Sequence, residues 1–236
     1  MNKNSKLIVA VLSFVMILGC ASFGADLNKA FLFGWELPKY LKNQENNQDV
    51  QSSLISKWND EFQVRKPDES LVFNVQSCSD YFRIRKENAE PTSDLDLPVY
   101  TYMCLQCEAT SLALKSKKGD DKYIQDLKLD GSLADILPSE IEFGQDIPKG
   151  KTWKDVSGVE FVEATKNYLL FKSSSFGYRL YPIAYGDFNS DGLTDLMIIL
   201  QTYALDGTYT LSSCFVLTRT SKEKLLKVVK KIDVFK

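Results

Sequence analysis

Tyr181-Pro182-Ile183-Ala184-Tyr185-Gly186-Asp187-Phe188-Asn189-Ser190-Asp191-Gly192-Leu193-Thr194-Asp195-Leu196-Met197-Ile198-Ile199-Leu200 sets two apolar runs on either side of a loop rich in side-chain oxygens. The β-branched and aromatic content of the runs, and the Asp, Asn and Gly between them, predict two neighbouring antiparallel strands joined by a tight connection. Asp187, Asn189 and Asp191 place oxygens at every second position around Gly192, and Asp195 closes the loop. A hard cation such as calcium takes six to eight oxygens at about 2.3–2.6 Å, so a loop that holds one must turn sharply and aim successive groups inward. The candidate metal ligands are therefore Asp187, Asn189, Asp191 and Asp195, with the Leu193 carbonyl between them.

An EF-hand would place a bidentate glutamate at the twelfth loop position, where this chain has Ile198, and would be flanked by helices. With Gly186 in front, the stretch from Gly186 to Leu196 resembles the FG-GAP or VCBS-type motif. That resemblance implies a calcium-binding connection between two strands, with Asp187, Asn189, Asp191 and Asp195 at the ligand positions. It covers 11 of 236 residues and occurs once, whereas integrin-type propellers use several copies, so it implies a lone loop on another kind of sheet. The ion would be structural, offsetting carboxylate repulsion and pinning the register of the flanking strands. The competing reading is a metal-free polar turn whose Asp, Asn and Gly simply tolerate left-handed backbone.

Outward from the loop, residues 159–164, 168–171, 177–185, 194–203, 209–218 and 225–234 read as successive strands. The last of these has an alternative as a basic amphipathic helix, with Lys224, Lys227, Lys230 and Lys231 opposite Leu225, Val228, Val229 and Ile232. Residues 133–158 are punctuated by Pro138, Gly144, Pro148 and Gly150 and read as a connecting segment. In the mixed part, 47–132, the spacing of Val50, Leu54, Ile55, Trp58 and Phe62 predicts a helix over 47–62. Residues 71–75 and 81–84 read as strands about a turn at 77–80, 85–98 as a polar loop, 99–103 as extended, and 108–115 as helix. The fold class expected is α+β, with a mixed N-terminal part and a mainly antiparallel C-terminal sheet.

Lys3 and Lys6 precede the apolar run Leu7-Ile8-Val9-Ala10-Val11-Leu12-Ser13-Phe14-Val15-Met16-Ile17-Leu18-Gly19, which reads as a secretory signal and is short of the roughly 20 residues a spanning helix needs. Its end, Ile17-Leu18-Gly19-Cys20, resembles the bacterial lipobox. The resemblance implies removal of residues 1–19, lipidation of Cys20, a tether over 20–46, and an outer-membrane address because Ala21 follows. An ordinary signal cut nearby, for instance after Ala25, is the alternative. The membrane is then a partner through the lipid anchor.

Loss of Lys3 and Lys6 with the signal moves the formal charge from −2 to −4. A mildly acidic chain does not suit nucleic acid, which calls for a basic surface. Histidine is absent, which removes Ser-His-Asp and Cys-His nucleophile systems and histidine-ligated metals. A carboxylate-dependent hydrolase stays open, although no spacing singles out a pair. Cys78, Cys104, Cys107 and Cys214 are disulfide candidates, with three connectivities open to them. The Cys104-Leu105-Gln106-Cys107 spacing before a helix also admits a periplasmic thiol-disulfide oxidoreductase. The leading expectation is a non-enzymatic, calcium-stabilised envelope lipoprotein that binds or scaffolds an unidentified protein or glycan.

Overall fold

The computed structural model describes residues 31–32, 54–67, 70–120, 122–124, 126–143, 150–156, 158–165, 167–222 and 225–234. The expected signal (1–19), the lipidation site Cys20, the tether (20–46) apart from 31–32, and the first part of the expected helix (47–53) lie outside these residues.

The chain forms β1 (Phe31–Leu32), β2 (Phe62–Arg65), β3 (Val72–Val75), α1 (Cys78–Ile84), β4 (Glu90–Pro91), α2 (Leu97–Lys115) and α3 (Glu140–Phe143). Then follow β5 (Glu160–Ala164), β6 (Leu169–Lys172), β7 (Phe176–Gly186), β8 (Asp195–Ala204), β9 (Thr210–Thr218) and β10 (Lys227–Ile232). The larger sheet runs β10-β9-β8-β7-β6-β5, with β1 also on β7, and the smaller runs β3-β2-β4; the strand pairings are antiparallel. Helices with two antiparallel sheets make an α+β arrangement. Each of the six C-terminal strands read from the sequence is present, its ends displaced by two residues at most.

Residues 180–184 of β7 and 196–200 of β8 are apolar without interruption because both faces of the sheet are covered there. Met197 and Ile199 face α2, in a cluster with Leu105, Ala109 and Ala113, while Leu196, Ile198 and Leu200 face Leu133, Leu137 and Trp153 on the other side. A strand buried on both faces loses the polar half of its alternation. The described part of 133–158, expected to be a connection, thus also supplies a core layer, with Leu137 and Trp153 fully buried.

α2 is shared between the two sheets. Leu105, Ala109 and Ala113 line one face against the larger sheet, and Tyr100, Cys104 and Cys107 line the opposite face among Phe62, Val64 and Val75 of the smaller. The extended reading of 99–103 is therefore corrected. The Val99-Tyr100-Thr101-Tyr102-Met103 alternation imitates a strand, but Pro98 sits in the first helical turn, where a missing N–H costs nothing, and two apolar stripes favour the helix.

Two other expectations are overturned. Residues 81–84 are helical, because Ser77 is an N-cap: its Oγ accepts from Asp80 N at 3.1 Å and donates to Asp80 Oδ2 at 2.8 Å. Of the expected helix 47–62, only 54–55 are helical among the described residues, and Phe62 opens β2. Trp58 N donates to Gln76 O at 2.6 Å, drawing this segment alongside the strand pair, and Phe62 and Val64 are buried in period two.

Candidate calcium-binding loop

β7 delivers the chain to the loop and β8 leads it away, with Gly186 paired to Asp195 across its base. The segment after α2 clips the loop from the side. Asp187 N donates to Lys117 O at 2.8 Å, Asp120 N to Gly192 O at 2.8 Å, and Thr194 N to Asp120 O at 2.9 Å. Phe188 points down into the core beside α2 and anchors the near end. Two residues adopt left-handed backbone, Ser190 at φ +64° and Gly192 at φ +87°. Glycine takes that conformation without a Cβ penalty.

The loop carboxylates bind the loop's own amides. Asp187 Oδ1 accepts from Asp191 N at 3.1 Å and Asp187 Oδ2 from Gly192 N at 3.1 Å. Asn189 Oδ1 accepts from Asp191 N at 3.0 Å, and Asp191 Oδ1 from Leu193 N at 2.8 Å. Asn189 Nδ2 donates to Asp191 Oδ2 at 2.9 Å. Among the described residues, no three His, Cys, Asp or Glu side chains converge as a metal site. Enclosing an ion therefore requires Asp187 and Asp191 to turn from these amides toward a common centre.

Asp195 differs from the others. It is 0 % exposed; its Oδ2 accepts from Phe188 N at 3.0 Å, and its Oδ1 is buried without a hydrogen-bond partner. Burial, followed by weaker repulsion from Asp191 and Asp187, pushes its carboxyl up to about 6 against the opposing pull of Thr218 and the Phe188 amide. Thr218 Oγ1 is near enough to favour the ionised form, yet it too lacks a partner in hydrogen-bonding geometry. An orphaned carboxylate oxygen in a dry setting is costly, and a cation is the partner best able to relieve it. The donor set, three carboxylates, one side-chain amide oxygen and the Leu193 carbonyl, is all hard oxygen and fits calcium in chemistry.

The cysteines divide into a bridge and two free thiols. Cys78, opening α1, is bonded to Cys107 of α2 across 29 residues, while Cys104 and Cys214 are buried and free. Burial pushes both free thiols well above the ordinary cysteine range. Four candidates thus yield one disulfide. The Cys104-Leu105-Gln106-Cys107 spacing lies in the interior of α2, away from the N-terminal turn that would lower a thiol's pKa.

Two acids share a cleft between α1, α2 and β10, but neither is free: Arg85 and the Tyr81 hydroxyl hold Glu108, and Lys231 lies 3.6 Å from Asp233. The lysines of this cleft went unassigned in the sequence, where Lys230 and Lys231 read only as the polar side of the last strand or helix. For Lys230 and Lys231 the one signal was the density of lysine near the chain's end, and Lys86 and Lys115 had none. No helix among the described residues is long and apolar enough to cross a membrane. No family model, characterised protein or solved structure matches the chain.

Proposed function

We propose that the chain is an exported, lipid-anchored protein of the bacterial cell envelope, whose folded body is a calcium-stabilised, non-enzymatic binding or scaffold module. The orphaned Oδ1 of Asp195, buried at the base of an oxygen-rich loop between the two central strands, is the observation that carries the calcium part of this reading. Asp187, Asn189, Asp191, Asp195 and the Leu193 carbonyl would hold the ion. Bound there, calcium supplies positive charge that offsets the repulsion among the three carboxylates; it activates no substrate. Phe188 and the 117–120 clip hold the loop backbone in place for it.

Lys3, the apolar run to Gly19 and Cys20 support export and lipidation, and the outer membrane is the address proposed. Lipid chains supply membrane affinity by burying methylenes at about 0.8 kcal/mol each, so the folded body needs no apolar anchor of its own. The finer division of the fold follows the same reading: a mixed N-terminal part carrying the disulfide, and an antiparallel C-terminal part carrying the calcium loop. The partner is a protein or a glycan of the envelope.

Thermal melting of the full chain at pH 7 tests the calcium reading through a reversal of sign. At a dissociation constant on the order of 10⁻⁴ to 10⁻³ M, as in extracellular modules, a few millimolar calcium raises the melting temperature by about 2–5 °C. Asp195→Asn removes the buried charge, so it melts no lower than the native chain in chelator and loses the calcium-induced rise. Equal melting of the native chain in calcium and in chelator removes the proposal.

A further inference from the structure

We propose that the cleft between α1, α2 and β10 binds a phosphate ester group through Lys86, Lys115 and Lys230. The cleft encloses about 620 Å³ and collects a surplus of three positive charges on a chain whose formal charge is −2. Lys86 comes from the 3₁₀ turn Arg85–Glu87 that follows α1, Lys115 from the last residue of α2, and Lys230 from β10. Among the described residues none of the three forms an ion pair.

Surface lysines usually belong to solvated faces, and Lys115 also complements the carbonyl end of its helix. The arrangement here differs because three separate elements line one concavity with like charges. A cleft with low-dielectric walls concentrates such a field, and Leu112, Ile232 and Val234 provide those walls. The acids inside do not quench it. Arg85 lies 2.6 Å from Glu108, and the Tyr81 hydroxyl donates to the same oxygen at 3.0 Å, so that carboxylate is already held.

A bulge in β10 puts Lys230 on the cleft side. Val228 pairs with Leu217 and Lys230 with Val216, leaving Val229 as the extra residue. Val228 accordingly packs with the Trp153 side of the sheet, while Ile232 and Val234 pack on the α2 side. Lys230, two residues before Ile232, shares the α2 side. Bulges commonly re-aim a side chain in this way. Lysine ammonium groups act as point charges, and a phosphate group, monoester or diester, presents several oxygens around one centre to lysines arriving from different sides.

The phosphate can belong to a soluble ester or to a lipid headgroup, and two titrations of the full chain in non-ionic detergent separate them. Inorganic pyrophosphate is titrated calorimetrically at about 50 and 200 mM salt, because phosphate contacts weaken steeply with salt. Short-chain phosphatidylglycerol is titrated beside phosphatidylcholine. Pyrophosphate binding at one site per chain, reduced at least tenfold by combined Lys86→Gln, Lys115→Gln and Lys230→Gln, supports a soluble ester. Binding of phosphatidylglycerol alone, lost in the same variant, supports a headgroup. Unchanged melting of the variant, whose three sites are exposed, shows that its fold is intact. Binding undiminished in the variant, or absent for both ligands in the native chain, overturns the proposal. The cleft shares no residue with the calcium loop, so either can fail while the other stands.

Discussion

Gly119 lies flat against the peptide that follows Leu193: a Cβ built on Gly119 would stand 2.3 Å from the Leu193 carbonyl carbon and 2.5 Å from Thr194 N. The clip after α2 can approach the loop this closely only because that position has no side chain. Three backbone hydrogen bonds on either side of the contact depend on it. Gly119→Ala is therefore expected to cost about 1–3 kcal/mol in urea unfolding, as overpacking against unyielding backbone does. The same variant should speed hydrogen exchange at the Asp187 and Thr194 amides. Native stability in the variant would show that the clip does not hold the loop.

Asp195 sets a pH dependence in chelator. Its carboxyl ionises near 3.8 when unfolded and at about 6 when folded, so between these values the folded chain keeps a proton that the unfolded chain has lost. Stability from this group is present below pH 4 and falls as pH rises through 6. The fall amounts to roughly 3 kcal/mol, since each tenfold difference in proton affinity between the folded and unfolded chain is worth about 1.4 kcal/mol. Urea titrations at pH 4.5 and 7 in chelator should show about 2 kcal/mol of that fall, superimposed on the other carboxylates, because the unfolded carboxyl is already largely ionised at pH 4.5, and Asp195→Asn should lack it. Identical pH profiles for the two chains would mean that Asp195 is not buried alone.

The disulfide closes a loop of 29 residues, and reduction should remove about 3–4 kcal/mol by releasing that constraint in the unfolded chain. Cys104 and Cys214 should resist alkylation until denaturant is added, as buried thiols whose ionisation is disfavoured. Peptide mapping after native and denatured labelling reads both results. Rapid native labelling of Cys104, together with reduction of insulin by the chain, would revive the oxidoreductase reading.

The C-terminal sheet was legible because its strands are long, β-branched and separated by turn residues, and because the loop from Asp187 to Asp195 has a spacing that few other structures require. α1 was missed at its own cap: Ser77 to Asp80 has the composition of a turn, and the Ser-x-x-Asp spacing that marks a helix start was the signal that could have found it. α2 was half hidden because it is apolar on two opposite faces, which blurs the helical period into the alternation of a strand. Burial of Asp195 Oδ1 and the place of Lys86 and Lys230, 144 positions apart, on one cleft are tertiary facts with no local trace. The segment 133–158 looked like a connection because Pro138, Gly144, Pro148 and Gly150 punctuate it, although the buried Leu133, Leu137 and Trp153 pack in its described part.

Trp153 tests that last layer. It is fully buried, with ring centroids 5.2 Å from Phe171 and 5.6 Å from Tyr178. Trp153→Ala should cost about 3–5 kcal/mol, as large core truncations do. Trp153→Phe should cost much less, since the buried Nε1 has no partner to lose. Urea unfolding of both variants reads the difference; a small effect of the alanine variant would return this segment to the status of a linker.

Direct calorimetric titration of calcium into metal-stripped full-length chain at pH 7 tests the central claim. The expected result is one ion per chain with a dissociation constant on the order of 10⁻⁴ to 10⁻³ M, lost in Asp187→Asn and in Asp195→Asn. No binding up to about 10 mM, or binding unchanged in both variants, would contradict it.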